Sequence, residues 1–168
     1  MPTSILKQVN LNYYKEKKYS SRKETIKHIR KVRKTIFKII WQLFKRALFH
    51  DGSKLGKYEK AGFDIYTPKL KGLTYGSDEY KQCLQELGQY LRHHYDVNSH
   101  HPEHYTNGIK GMCLVDIVEM LCDWYAATKR HNDGNIFKSI ELNKSRFNYS
   151  DDLADVFRNT VQHRLLEV

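Results

Sequence analysis

Apolar residues recur every three or four positions from Ile26 to Ala47, through Ile29, Val32, Ile36, Ile39, Ile40, Leu43 and Phe44, with lysines and arginines in the intervals. That spacing matches the turn of an α-helix and not the alternation of a strand, so it predicts a long amphipathic helix from Ser21 to near His50. Gly52, Gly56 and Gly62, then Pro68, Gly72 and Gly76, predict a loop-rich connection with one helical turn around Tyr58 to Ala61. Ser77 followed by Asp78 and Glu79 carries the signature of a helix start, and that helix runs through Cys83, Leu84, Leu87 and Leu91 into a histidine-rich stretch. Pro102 and Gly108 force a loop. Residues 112–130 form the most apolar helix, and two weaker ones follow at 135–144 and 150–165, with Ser150 or Asp151 as N-cap of the second. No segment alternates with period two and none repeats, so the expected class is all-α, a single-domain helical bundle of about five to seven helices. Residues 1–20, polar and basic without clear period, read as a leader, and 21–168 as the domain.

A chain of 168 residues suffices for one apolar core, and 40% hydrophobic with 12% aromatic residues argues against disorder. The formal charge of +10 favours polyanionic partners. Cys83, Cys113 and Cys122 form no CxxC pair, and their odd number does not suggest the disulfide framework of a secreted domain. With no signal-type apolar run and no stretch near the ~18 apolar residues of a membrane span, the expected location is the cytoplasm, away from membranes.

The chemistry concentrates at three places. His50-Asp51 closes the long helix just where Gly52 lets the chain turn. Adjacent helical side chains diverge by about 100°, so such a pair can serve one ion only at a bend of this kind. Between Leu91 and His104 lie five of the nine histidines, His93, His94, His100, His101 and His104, a density that suggests a metal or phosphate site. Not all five can be ligands, and some should orient others or contact substrate. Asp116, Glu119 and Asp123 share one face of the apolar helix. Asp123, between Cys122 and Trp124, is the candidate ligand, whereas Asp116 and Glu119 read as a solvated stripe. His28 lies on the first helix, where continuous winding would hold it about 33 Å from His50, so sharing an ion requires that segment to fold back.

The order His28, His50-Asp51, the His93–His104 cluster and Asp123 resembles the HD superfamily of metal-dependent phosphohydrolases. His50-Asp51-Gly52-Ser53-Lys54-Leu55 looks like that family's His-Asp motif with its following lysine. The phrases Asn98-Ser99-His100-His101-Pro102-Glu103-His104 and Glu119-Met120-Leu121-Cys122-Asp123-Trp124 look like a small HD-like family of viral and bacterial genomes. The resemblance covers roughly residues 24–130 and implies an HD-like helical fold. It implies a first divalent metal on His28, His50, Asp51 and Asp123, and a second on His93 or His94 with His100 or His101. By the same resemblance Glu59 serves proton transfer.

The expected activity is hydrolysis of a phosphoester, most simply a nucleotide, by water activated at one or two ions of manganese, iron, cobalt, nickel or zinc, with magnesium also compatible. Asp51, Glu59, Lys54 and His94 are the candidates for the chemistry, and Lys54, Arg92, Asn98 and His104 for substrate binding. The competing expectation is a non-catalytic nucleic-acid- or nucleotide-binding module with a structural metal site, its phosphate-binding stripe drawn from Tyr13, Tyr14, Lys15 to Lys18 and the basic residues of 22–34.

Overall fold

A computed structural model describes residues 21–74, 76–130 and 134–165; the leader 1–20, with its Tyr13, Tyr14 and Lys15 to Lys18, lies outside them. The fold class is all-α, as the periodicity predicts. Among the described residues six α-helices follow one another: α1 Ser21–Phe49, α2 Lys57–Lys71, α3 Asp78–Val97, α4 Leu114–Thr128, α5 Ile136–Phe147 and α6 Asp151–Thr160. Short 3-10 turns at Gly52–Leu55, Pro102–His104 and Gly108–Gly111 connect them, and a π-helical turn Val161–Leu165 follows α6. The chain divides into two compact units, one up to Trp41 and one from Gln42. In the first, the described residues form the N-terminal part of α1, which buries none of its side chains.

The helix starts obey capping rules. The Ser77 side chain accepts from the Tyr80 amide, Asn135 from those of Phe137 and Lys138, and Ser150 from that of Leu153, each satisfying donors of a first turn. Ser150 rather than Asp151 is therefore the cap of α6. The core of the second unit is built by α4, α5 and α6: Met120, Leu121, Ile136, Ile140, Ala154, Phe157 and Val161 close around Tyr149 and Ile109.

The largest departure from expectation is α2, fifteen residues of helix where glycines and a proline predict one turn within a loop. Packing overrides the local preference. Pro68 stands near the helix end, where a broken ladder costs least. Gly62 lies where a Cβ would meet the Tyr90 ring at 2.4 Å, so its lack of a side chain is what lets α3 approach. Replacing Gly62 by Ala forces the base of the Tyr90 side chain to move. We expect a loss of about 1–3 kcal/mol in urea denaturation despite alanine's better helix propensity; a stabilised variant would refute the packing role. The other special glycine, Gly88, has φ 38° and ψ −103° inside α3. It re-aims the half of the helix that carries His93 and His94.

Candidate metal centre

Helix α1 ends at Phe49, and Asp51 takes a left-handed conformation with φ 54° and ψ 17°. Aspartate reaches this region more readily than most residues. The reversal removes the helical divergence of adjacent side chains, so His50 and Asp51 face one point. His50 Nε2 lies 3.5 Å from Asp51 Oδ2 and 3.7 Å from Asp123 Oδ1, which α4 supplies. The end of α3 and the turn after it bring the remaining imidazoles. His94 Nε2 is 3.2 Å and His100 Nε2 3.5 Å from Asp51 Oδ1, and the Nε2 atoms of His94 and His101 are 2.9 Å apart.

Three overlapping sets are close enough to share an ion: Asp51 with His94, His100 and His101; His50 with Asp51 and Asp123; and His50 with His100 and Glu119. Asp51 belongs to the first two and offers a different oxygen to each. Two atoms give a direct test of fit. Asp51 Oδ1 and His100 Nε2 are buried without a hydrogen-bond partner, although buried polar groups almost always have one. A cation accepting both lone pairs resolves this, and neutral imidazole with carboxylate is a donor set for divalent transition metals. The residues therefore fit a metal.

The charge states of His100 and His101 agree with that donor set. Burial lowers His101 to about 3 and pushes His100 below its ordinary value, which keeps both imidazoles neutral, the form that coordinates. The carboxylates of Asp123 and Glu119 raise His50 to about 10, so the metal-free site holds it as an imidazolium, and a cation bound through its Nε2 must displace that proton. Burial opposes ionisation of Asp51, but the nearby His94 imidazole and the Lys54 ammonium outweigh it and hold the carboxyl well below the usual range. Burial is likewise outweighed at Asp123, by the neighbouring His50 imidazole, which holds its carboxyl below the ordinary value.

Two buried glutamates stand behind the imidazoles. Glu59, on α2 and 1% exposed, puts Oε1 2.7 Å from His93 Nδ1 and Oε2 3.0 Å from His94 Nδ1, and also accepts from the Ser53 hydroxyl at 2.9 Å. Glu119, on α4, puts Oε1 3.0 Å from His50 Nδ1 and accepts from Arg46 through Oε2. Arg46 also donates to Asp116, which the hydroxyls of Ser99 and Tyr105 and the Cys113 amide complete. Beside this wall lies a cavity of about 310 Å³ between α1 and α4, with Leu43, Ala47, Cys122 and Ala126 on its apolar side and His50 and Asp123 at the edge nearest the cluster.

The candidates read from sequence thus separate. The structure brings together His50, Asp51, His94, His100, His101 and Asp123, including both members of the second histidine doublet. His93, on the other side of Glu59, belongs to none of the three sets. His28 is exposed on α1, which runs without a break from Ser21 to Phe49, and it too joins no set. Lys54 lies at the centre, 2.5 Å from Asp51 Oδ2. Asn98 donates from its amide nitrogen to Ser53 Oγ and to the His94 carbonyl, so it braces the cluster. Arg92 is exposed, and exposed His104 pairs through Nδ1 with the Tyr95 carbonyl oxygen. Asp116 and Glu119 are buried ion-pair partners and not a solvated stripe, because Arg46 reaches them from α1. The signal that would have found Glu119 is its position one helical turn before Asp123.

No curated protein and no solved structure matches the chain. A family model matches residues 17–166, nearly the whole chain and all of the cluster, and by it the protein belongs to a Family of unknown function (DUF5662).

Proposed function

We propose that the protein is a divalent-metal-dependent phosphohydrolase of the HD type, acting on a nucleotide or related phosphoester. The observation that carries the reading is the Asp51-centred cluster, in which two carboxylates and four imidazoles converge around two buried atoms, Asp51 Oδ1 and His100 Nε2, that lack a hydrogen-bond partner. His50, Asp51 and Asp123 would hold one ion, and Asp51, His94, His100 and His101 a second. When bound, the metal supplies Lewis acidity, activating water and offsetting phosphoryl charge.

The chain's own residues supply the rest. Lys54, now paired with Asp51, is the cation positioned to turn towards a phosphoryl oxygen once Asp51 is otherwise engaged. Phe63, whose ring centroid lies 5.1 Å from the Lys54 ammonium, limits where that side chain can swing. The cavity beside His50 and Asp123 offers the organic part of a phosphoester an apolar wall. Glu59 has both oxygens engaged by His93, His94 and Ser53, so its part is to hold imidazoles in place more than to meet substrate. The charge of +10 favours capture of anions. That charge also supports the alternative, a non-catalytic nucleic-acid- or nucleotide-binding module, through the exposed Lys and Arg side chains of α1 between Arg22 and Lys34.

The test is metal per chain after exposure to manganese and desalting, followed by phosphate release from nucleoside phosphates and simple phosphomonoesters and diesters. One or two equivalents, with turnover abolished by a chelator, is the expected result. Negligible metal together with salt-sensitive RNA or DNA binding would replace the hydrolase by the binding module.

A further inference from the structure

We infer that Glu119 is a positioning residue that fixes the metal-facing edges of His50 and His100, an inference that rests on the metal-site reading above. Its Oε1 lies 3.0 Å from His50 Nδ1 and 3.4 Å from His100 Nδ1, and the two rings lie 4.7 Å apart between centroids. An ionised carboxylate only accepts hydrogen bonds, so when a metal takes one nitrogen of each ring the proton stays on the nitrogen facing Glu119, and the lone pair that coordinates is on the other. In both rings that other nitrogen is Nε2, which points at Asp51. One oxygen thereby sets the tautomer and direction of two candidate ligands that come from different segments, the end of α1 and the turn after α3.

The carboxylate is itself held. Arg46 Nη1 lies 3.0 Å from Glu119 Oε2, and Nη2 lies 2.6 Å from Asp116 Oδ1. Asp116 accepts from Ser99, the residue before His100, at 2.8 Å, from Tyr105 at 2.9 Å and from the Cys113 amide at 3.0 Å. The competing arrangement has Glu119 as a direct ligand, sharing an ion with His50 and His100. The Arg46 guanidinium opposes it, because a cation bound there would sit beside a fixed positive charge and compete for the same carboxylate.

The experiment uses the full chain in two measurements. In the zinc-loaded wild type, nitrogen-detected histidine spectra report which ring nitrogen is protonated. Protonated Nδ1 with zinc-bound Nε2 is expected for His50 and His100, and coordination of either through Nδ1 overturns the inference without any variant having to fold. Calorimetric titration with manganese then compares wild type, Glu119→Gln and Glu119→Ala, with the metal-free melting temperature of each as the fold control. Glu119→Ala is expected to weaken binding by about 10- to 100-fold, and Glu119→Gln, which retains an acceptor, by less. Wild-type affinity and unaltered imidazole signals in both variants overturn the positioning role while leaving the metal site standing. Failure of the wild type to bind manganese or zinc overturns the site and this inference together.

Discussion

Asp51→Asn is expected to abolish metal retention after desalting and to lower phosphate release by about a thousandfold. Asp51 is the common member of two candidate ligand sets and presents a different oxygen to each. An amide keeps the shape but removes the negative charge and replaces one of those oxygens with a donor group. The loss of about 4 kcal/mol implied by a thousandfold change is of the size expected when charge stabilisation by a metal disappears. Asparagine is a better choice than alanine because it tolerates the left-handed backbone at φ 54°. The folded protein should therefore survive, with unchanged helicity by circular dichroism. Elemental analysis and phosphate assays on the same preparation decide the matter. Wild-type metal content in Asp51→Asn would remove Asp51 from the centre of the site.

Phe157→Ala should be the most destabilising single change in the core, costing about 3–5 kcal/mol. Phe157 is 1% exposed and meets the Trp124 and Tyr149 rings edge-on at centroid distances of 5.8 and 5.5 Å. Truncation leaves a cavity between α4 and α6 whose aromatic walls cannot collapse easily, because the Tyr149 hydroxyl is anchored to the Ile140 carbonyl at 2.7 Å. In a domain of this size each kcal/mol shifts the melting temperature by about 2–4 °C, so a fall of roughly 10 °C is expected. Phe157 belongs to the apolar core cluster and Asp51, His94 and His100 do not, so metal binding by the molecules that remain folded should be unaltered well below the transition. A melting temperature within a degree or two of wild type would show that the cluster around Trp124 is not the stabilising core.

Several parts of this protein are legible from residue order. The long helix, the start of α3 at Ser77, a cap at Ser150 or Asp151 and the ligand roles open to His50, Asp51 and Asp123 all follow from spacing and side-chain chemistry, because each depends on neighbours within a turn or two. Helix α2 was not legible. Its glycine at position 62 signals a break when read locally, yet it serves the approach of Tyr90, a residue far along the chain.

The division of labour is sharpest at the histidines and acids. Local sequence establishes that His93, His94, His100 and His101 are concentrated in one stretch, but a doublet carries no information about which ring turns inward. That choice came from α2, whose Glu59 takes His93 and the Nδ1 side of His94, and from Asp51, which meets His94 and His100. The same holds for Glu119. On its own helix it is one of three acids on a shared face, indistinguishable from a solvated stripe. Burial beside Arg46, seventy-three residues earlier in the chain, makes it an anchored acceptor between two imidazoles. Hydrophobic period and capping act through bonds a few residues long, so they can be read in one dimension. The direction of a ligand's lone pair is set by partners brought together from distant segments, and it exists only once the chain has folded.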